Sequence, residues 1–588
     1  MTKTFHYKEN SLWEIIQFYQ KNADASQKRT VAAGLILLSL LSISVGIILV
    51  FESLQRGNFI SALAARDPQR FQTALVKFVG ILLMSAALVS LSTYVRDRLG
   101  LQWRKALSEH VMKAYLIDGH YYRLPTDIDN PDQRISEDIR NISQLTVVVF
   151  ATVLESVVQL VGFVGVLLSI SFGLTGFLLV YALIGSAVIT LVFGVRLTRI
   201  NAEQLKREAN FRNNLIDVRE HAESIAFYQK QSSVAEQTAN QEQQSAGRLF
   251  GQVVQNFNRF IRWQLGLDCF QNGYQYLTFI LPSVILAPRI LSGELEVGAI
   301  IQSQAAFDRI WLSLSLIIVQ FEQLTALAAS TSRLQTLIRT IRAENLHRES
   351  PIQITDQPQL TVQNLTLTLS NAEAGALETE RQNSQAKHGQ ARTIIENLSF
   401  SVTQPLLITG ASGIGKSSLV KAIAGLWENG QGSIGYPQPQ TLFLPQQPYV
   451  TLGSLRQQLL YPNWQDENIA DDSLLAVLKS VQLNNLNNLE QTADWSEQLS
   501  TGELQRLAFA RLLIKRPTYA ILDEATSALS VQQEKELYQQ LANTKTIFVS
   551  VGHRPSLLTF HPQVLTLINS CEWQIEASDS KNLLAFSS

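Results

Sequence analysis

The sequence predicts an all-α membrane domain of six helices followed by an α/β domain. Several long uncharged runs lie within the first 330 residues or so, and most are long enough to cross a bilayer. Short apolar runs alternate with helical patterns after about residue 345, which is typical of a parallel sheet with crossover helices. Charged residues make up only 16% of the 588 residues, against about 25% in an average soluble chain.

The composition excludes two broad classes of protein. Hydrophobic residues make up 46% of the chain and the formal net charge is −1, whereas a disordered chain combines low hydrophobicity with high net charge. The small net charge also argues against a nucleic-acid partner. Cys269 and Cys571 are far apart and lack zinc-ligand spacing, so we interpret them as reduced structural thiols.

Residues 1–29 are predicted to be a polar, amphipathic N-terminal segment without the apolar core of a secretory signal. Apolar side chains recur in it at roughly helical spacing, at Leu12, Trp13, Ile15, Ile16, Phe18 and Tyr19. Such a helix either lies at a membrane surface or packs on its own domain. Because a membrane span follows, we expect the surface location.

Six apolar runs predict a transmembrane domain over residues 30–345. They are Thr30–Phe51, Phe78–Val95, the two arms of a hairpin that starts near Leu145, turns within Ser171–Gly176 and ends near Val195, then Cys269–Pro288 and Val297–Leu327. A bilayer core of about 30 Å needs roughly 20 residues of helix. The sixth run has the weakest signal because Asp308, Arg309 and Glu322 interrupt it.

Ionisable residues in or near these spans are candidates for a substrate pathway, because charge inside a membrane is costly and usually faces a cavity or a partner. Glu155, Asp308 and Arg309 could line the pathway or bind a neighbouring helix, and the sequence does not separate these alternatives. Arg259 and Arg262, before the fifth span, could meet an anionic head group. The sequence slightly favours a role as interfacial anchors for this pair.

Lysine and arginine residues near the span ends predict the orientation. They are enriched before the first span and after the second and fourth, which places those segments in the cytoplasm. Two long polar segments, about 96–144 and 196–265, then extend the membrane helices into the cytoplasm.

A glycine-rich loop follows a predicted buried strand, Leu406–Thr409, and precedes a helix. The loop matches G-x-x-x-x-G-K-[ST] at every fixed position, and its backbone N–H groups and the helix N-terminus suit the phosphates of ATP. Lys416 would reach the β- and γ-phosphates, and Ser417 would supply a hydroxyl to Mg²⁺. The predicted ATP-binding residues of this loop are Gly410, Ala411, Ser412, Gly413, Ile414, Gly415, Lys416, Ser417 and Ser418.

A second predicted strand, Tyr519–Leu522, ends in two acids, Asp523 and Glu524. Asp523 would hold Mg²⁺ through water, and Glu524 would polarise the attacking water. The alternative is an inert surface pair.

The segment Leu499–Arg506, with the sequence LSTGELQR, resembles the LSGGQ signature of ABC ATPases. Gln446 resembles the Q-loop glutamine of that family, Ser527–Ser530 its D-loop, and His553 its switch histidine, all in the family's order. The resemblance implies catalytic roles for Glu524 and His553 and a Mg²⁺ site at Ser417, Gln446 and Asp523. It also implies that Ser500 and Gly502 face the nucleotide of a partner copy.

Three departures from the family pattern stand out. The signature has Thr501 and Glu503 where glycine and glutamine are usual, and the D-loop ends in Ser530 instead of aspartate. Leu367 and Leu369 stand near the place where the family stacks an aromatic ring on adenine. Base selectivity could therefore be loose.

Segments in both the membrane half and the ATPase half resemble the D subfamily of ABC transporters, which includes peroxisomal acyl-CoA half-transporters, a lysosomal cobalamin relative and bacterial fused permease–ATPases. The similar segments are Tyr121–Pro125, Asn130–Ile135, Ala222–Tyr228, Gly425–Trp427, Pro448–Tyr449 and Gly453–Arg456. The resemblance implies a six-helix exporter-type membrane domain, an ATPase domain over residues 346–588, and a homodimer. It further implies that regions 121–138 and 211–230 contact the ATPase.

These features predict an ATP-driven transporter in a bacterial inner membrane. A fatty acyl or acyl-CoA-like amphiphilic anion is the expected substrate, and cobalamin, peptides or other hydrophilic cargo are the alternative. The direction of transport stays open. A soluble ABC ATPase would not explain the spans, and an ATP-gated channel would not be expected to retain Glu524. Residues 371–392, which lack periodicity, are predicted to be a flexible insert of open role between two strands.

Overall fold

The computed structural model describes residues 11–125, 128–229, 235–314, 320–346, 352–369, 392–427, 429–462 and 469–578. Its backbone divides into two compact units, Met1–Asn345 and Leu346–Ser588. The helix is the main element of the first unit in its described residues, and the second unit combines sheets with helices.

The helices of the first unit are α1 (Ser11–Asn22), α2 (Ala25–Ala64), α3 (Pro68–Leu116), α4 (His120–Arg123), α5 (Pro131–Gln133), α6 (Ile139–Ile170), α7 (Phe172–Val188), α8 (Val195–Glu220), α9 (Ala222–Gln229), α10 (Ala235–Leu291), α11 (Gly298–Leu314) and α12 (Phe321–Leu346). A 3₁₀ turn covers Ile117–Gly119, and π-helical turns cover Arg134–Asp138 and Ile189–Gly194. Within the described residues, five of the helical stretches are long and apolar enough to cross a membrane.

The first five predicted spans are confirmed as parts of these long helices. The second span, for example, lies within α3, whose 49 residues run well past the apolar stretch. The predicted hairpin turn is at Ser171, which has extended backbone and caps α7 by accepting a hydrogen bond from the Leu174 N–H at 3.4 Å. The sixth predicted span falls on α11 and the start of α12, and residues 315–319 within it lie outside the described residues.

Helix α1 packs on its own domain. Ile15, Phe18 and Tyr19 are exposed by only 1%, 7% and 6%, and they share a core with Leu107 of α3 and Leu337 of α12. The alternative, that the helix packs on its own domain, is confirmed for these three side chains, and the membrane-surface location stays a prediction. The sequence showed the amphipathic pattern, but burying such a stripe against helices satisfies it as well as lipid does.

The polar side of α1 is also attached to α12. The Glu14 carboxylate accepts hydrogen bonds from Gln335 at 2.5 Å and from the Arg339 Nε at 2.9 Å. The hydrogen bond from Arg339 holds the pKa of Glu14 below its usual value. The N-terminal helix is thus held on two faces by its own unit.

The candidate pathway residues lie on α6 and α11. Glu155 accepts a hydrogen bond from Ser42 Oγ of α2 at 3.3 Å, so it does contact a partner helix. Asp308 and Arg309 are both half-buried on α11. A place for these three side chains on a substrate pathway stays a prediction.

The second unit contains two main sheets. Its strands are β1 (Ile352–Asp356), β2 (Leu360–Thr368), β3 (Thr393–Val402), β4 (Leu406–Gly410), β5 (Gly430–Tyr436), β6 (Thr441–Leu444), β7 (Gly453–Ser454), β8 (Thr492–Ala493), β9 (Tyr519–Asp523), β10 (Ile547–Val551), β11 (Gln563–Leu567) and β12 (Trp573–Ala577). Its helices are α13 (Lys416–Ile423), α14 (Leu455–Leu460), α15 (Asp471–Ser480), α16 (Trp495–Gln498), α17 (Thr501–Lys515) and α18 (Val531–Ala542).

The larger sheet has the strand order β12-β11-β4-β10-β9-β6. Strands β11, β4, β10, β9 and β6 are parallel, and β12 is antiparallel to β11. Strands β4 and β9 are buried along most of their length, as their continuous apolar runs predict. Because the carboxyl ends of parallel strands share one edge, the segments that follow β4, β10, β9 and β6 meet there.

The smaller sheet has the order β1-β5-β2-β3, with β2 and β3 antiparallel. The predicted insert does fall between two strands, β2 and β3. Residues 370–391, which include nearly all of it, lie outside the described residues.

Candidate nucleotide site

The phosphate loop turns sharply between β4 and α13. Gly410 has φ 144° and Gly415 has φ 113°, both in the left-handed region that favours glycine. A Cβ at Gly410 would lie 2.6 Å from the Leu567 carbonyl oxygen, and one at Gly415 would lie 2.5 Å from Ile394 Cγ2. The loop therefore requires both glycines of the motif, for backbone conformation and for space.

The other residues of the motif form the turn itself and the first turn of α13. Ala411, Ser412 and Gly413 are exposed, whereas Ile414, Gly415 and Ser418 are half-buried. Exposed backbone N–H groups at the start of a helix are suited to an anion.

Lys416 folds back over the loop. Its Nζ donates hydrogen bonds to the Gly410 carbonyl at 2.7 Å and the Ala411 carbonyl at 2.9 Å. Burial lowers the pKa of Lys416, while the nearby carboxylates of Glu524 and Asp523 act in the opposite direction. In the described structure the Lys416 ammonium donates only to backbone carbonyls of the loop. An ammonium group beside backbone N–H groups is a set of hydrogen-bond donors that fits a polyphosphate.

Two residues with side-chain oxygens, Ser417 and Asp523, lie beside Lys416. Ser417 Oγ donates a hydrogen bond to Asp523 Oδ1 at 3.3 Å, which joins the start of α13 to the end of β9. Burial raises the pKa of Asp523 above its usual value. A hydroxyl and a carboxylate are the oxygen donors that Mg²⁺ prefers, so these two residues could hold that ion beside a bound nucleotide.

Glu524 lies where three strand ends meet. Its φ is 46°, an unusual value for a residue with a Cβ. Its N–H donates to the Val551 carbonyl of β10 at 3.2 Å. Gln446 Nε2, after β6, donates to Glu524 Oε2 at 3.1 Å, and His553 Nδ1, after β10, lies 4.0 Å from Glu524 Oε1. The sheet thus brings together three predicted site residues that are 29 to 107 positions apart in the sequence.

The signature segment opens α17. Ser500 is the N-cap, and it forms a capping box in which the Glu503 N–H donates to Ser500 Oγ at 3.4 Å and the Ser500 N–H donates to Glu503 Oε2 at 3.0 Å. Ser500 Oγ also donates to Glu503 Oε2 at 2.8 Å. The hydrogen bond from Ser500 holds the pKa of Glu503 below its usual value. Among the described hydrogen bonds, none joins Ser500 or Gly502 to the phosphate loop of the same chain.

Two family models match this chain. The model of the ABC transporter transmembrane region 2 matches residues 25–291, and the model of the ABC transporter matches residues 395–527. A protein of Synechocystis described as an uncharacterised ABC transporter ATP-binding protein is 40% identical over 92% of this chain and 80% of its own length. The chain belongs to the ABC transporter family.

Further relatives of this ABC transporter are D family members. The chloroplastic ABC transporter D family member 2 of Arabidopsis thaliana is 33% identical over 96% of this chain and 88% of its own length. The human lysosomal cobalamin transporter is 31% identical over 88% of each chain. The protein is therefore a multi-pass membrane transporter that binds ATP and couples its hydrolysis to transport.

Two further residues of the ATPase domain lie next to the site, although the sequence predicts no role for either. Gln505 is 1% exposed and its amide contacts the segments after β6 and β9. The sequence does contain a sign of this role. Gln505 is polar but lies four and seven positions before the buried Phe509 and Leu512, which is the spacing of one buried helix face.

The second is Arg554, directly after His553. Its guanidinium donates to the Leu529 carbonyl at 2.7 Å and to the Ser527 carbonyl at 2.9 Å, and lies 3.6 Å from the buried carboxylate of Glu534. Arg554 thus fixes the D-loop backbone to the loop that carries the histidine. Nothing in the local sequence distinguishes this arginine from a surface residue.

The two leucines near the expected adenine position differ in availability. Leu367 is fully buried in the core of the domain. Leu369 is half-buried, and its N–H donates to the Arg392 carbonyl at 2.9 Å. Only Leu369 could therefore offer an apolar surface to a base.

Proposed function

We propose that this ABC transporter is a homodimer that hydrolyses Mg²⁺–ATP to move an amphiphilic anion, such as a fatty acid or acyl-CoA, across a bacterial inner membrane. The observation that carries the ATPase part is the convergence of Glu524, Gln446 and His553 beside the pair formed by Ser417 and Asp523. Bacterial relatives in Synechocystis and Haemophilus influenzae support the location.

In the proposed mechanism, Glu524 acts as the general base. Its carboxylate is held by Gln446 on one oxygen and approached by His553 on the other, so it is oriented to accept a proton from a water molecule. Lys416 binds the phosphates, and Mg²⁺ supplies charge neutralisation when it is bound at Ser417, Asp523 and Gln446.

Replacing Glu524 with glutamine tests this role. Glutamine has the same shape and can keep the contact with Gln446, but it cannot accept the proton. We expect ATP turnover in the purified full chain to fall by at least ~100-fold while nucleotide binding persists. Glu576→Gln, at an exposed position of strand β12, is the matched control. Normal turnover in Glu524→Gln would remove this residue as the base.

The homodimer is supported by the signature segment. Ser500 and Gly502 have no described hydrogen bond to the phosphate loop of their own chain, so a second copy would complete each site. We expect Lys416→Ala and Ser500→Arg chains to be inactive alone. Mixed in one membrane, they would regain activity, because a hybrid dimer carries one intact pair of phosphate loop and signature. No recovery would contradict the dimer.

The anionic substrate is supported by Arg259 and Arg262. Both are exposed on α10, and among the described ion pairs neither is joined to a carboxylate. Cobalamin is the second candidate, because one relative at 31% identity carries that transport function in its name. An ATPase assay in lipid vesicles with palmitoyl-CoA, palmitate and cobalamin separates them, since only the cognate substrate should stimulate turnover. Stimulation lost in Arg259→Gln/Arg262→Gln would support the anion.

A further inference from the structure

Gln505 is a buried glutamine in the middle of the ATPase machinery. It lies on α17, five residues after Ser500, and its side chain is 1% exposed. A buried amide is costly unless its polar atoms are hydrogen-bonded. Its partners therefore indicate why a glutamine stands on this face.

The amide makes three hydrogen bonds to two other segments. Nε2 donates to the Gln446 carbonyl at 3.2 Å and to Ser527 Oγ at 3.1 Å, and Oε1 accepts from the Ala528 N–H at 3.0 Å. The Ala528 N–H can only donate and the Gln446 carbonyl can only accept, so these two partners fix the amide orientation.

Both segments that Gln505 contacts also contact Glu524. The side chain of Gln446 donates to the Glu524 carboxylate at 3.1 Å, and the Ser527 N–H donates to the Glu524 carbonyl at 3.0 Å. The Gln505 amide thus connects Gln446 and Ser527, which both contact Glu524, to the helix that begins with the signature segment. Gly502 allows the close approach, because a Cβ there would lie 3.3 Å from the Ala528 carbonyl.

We propose that Gln505 is a positioning residue that aligns Glu524 and couples the two ATP sites of the transporter. Its contacts join Glu524, which acts on the nucleotide of its own chain, to the helix whose Ser500 and Gly502 act on the nucleotide of the other copy. The coupling between sites rests on the proposed homodimer. The alignment of Glu524 within one chain does not.

Two substitutions separate positioning from simple packing. Gln505→Glu keeps the shape and the bond from the Ala528 N–H, but sets a carboxylate oxygen against the Gln446 carbonyl. Gln505→Leu removes all three bonds at similar volume. Gln458 offers a matched control, because it is fully buried in the same domain and also makes three side-chain hydrogen bonds, all to Thr451.

The assay compares the full-length chain, the two Gln505 variants, Gln458→Glu and Gln458→Leu in lipid vesicles. It measures kcat, KM and the Hill coefficient for ATP, the affinity for a fluorescent ATP analogue, and the melting temperature. We expect both Gln505 variants to lose at least ~10-fold in kcat, because small misplacements of reacting groups are costly. Nucleotide affinity would stay within about two-fold, and the Hill coefficient would fall toward one.

The controls decide between alignment and stability. We expect the Gln458 variants to lower the melting temperature while the folded protein keeps its kcat and Hill coefficient. Unchanged kcat in Gln505→Glu, or an equal loss of kcat in the Gln458 variants, would overturn the proposal. If the chains carrying Lys416→Ala and Ser500→Arg fail to complement each other while Gln505→Glu still lowers kcat, the homodimer and the coupling fail but the alignment of Glu524 stands.

Discussion

Replacing the buried His561 should remove a large part of the acid sensitivity of the ATPase domain. The imidazole is fully buried, with the rings of Phe548 and Tyr538 packed edge-on at 5.0 and 5.6 Å. Nδ1 lies 2.7 Å from the Leu557 carbonyl, and Nε2 lies 2.9 Å from Ser550 Oγ, which accepts a hydrogen bond from the Tyr538 hydroxyl. A neutral imidazole, with Nδ1 as donor and Nε2 as acceptor, satisfies every hydrogen bond in this series.

Protonation would place a second N–H on the ring, facing Ser550 Oγ, so that the Ser550 hydroxyl could no longer donate to Nε2. Burial lowers the pKa of His561 to about 4, against about 6.5 in an unfolded chain. Below about pH 6.5, His561 therefore binds a proton in the unfolded chain but stays neutral in the folded domain. The contribution of neutral His561 to the free energy of unfolding is fully present above about pH 6.5 and is lost as the pH falls toward 4.

Between pH 7.5 and pH 5.0, this difference in pKa costs about 2 kcal/mol of folding free energy. For a domain of this size, that corresponds to a fall of about 4–8 °C in melting temperature. The assay is thermal melting of the full chain in detergent, with the transition of the ATPase domain assigned by its shift with Mg²⁺–ATP. We expect His561→Gln to melt lower at pH 7.5 but to lose much less on acidification.

The exposed His221 provides the control, because His221→Gln should keep the full acid-induced fall. An equally steep pH dependence in His561→Gln would show that the buried imidazole is not its source.

Three further substitutions test other parts of the chain. Lys416→Ala removes the ammonium from the phosphate loop, so nucleotide affinity measured by fluorescence titration should fall by at least ~10-fold, and an unchanged affinity would contradict its role. Arg333→Ala leaves the fully buried carboxylate of Asp138 without its partner at 2.5 Å, which should cost about 3 kcal/mol in a melting experiment; adding Asp138→Ala should restore part of this loss. Replacing residues 370–391 with a two-residue Asn-Gly turn between β2 and β3 should leave ATPase activity nearly unchanged, and loss of activity would give the insert a structural role.

The sequence predicts the elements of the nucleotide site well because each has a local cause. The strands before the phosphate loop and before Asp523 are continuous apolar runs, and the glycine spacing of the loop reflects its turn geometry. A charge-free length of about 20 residues likewise has one inexpensive location, a membrane. The membrane-spanning parts of the long helices follow from that length.

The placement of α1 could not be predicted in the same way. An apolar stripe specifies that a face is buried but does not specify what covers it. The choice between lipid and α12 depends on residues such as Leu337, more than 300 positions away.

The sequence by itself determined which groups are available: a phosphate loop, two acids, a glutamine and a histidine, each tied to the end of a predicted element. Only the tertiary structure decided that β4, β10, β9 and β6 place them at one edge, and that Gln505 and Arg554 hold the loops between them. The physical reason is that hydrophobic periodicity is a local property of the chain, whereas a hydrogen bond between segments 20 to 60 residues apart depends on the strand order and register of the folded sheet.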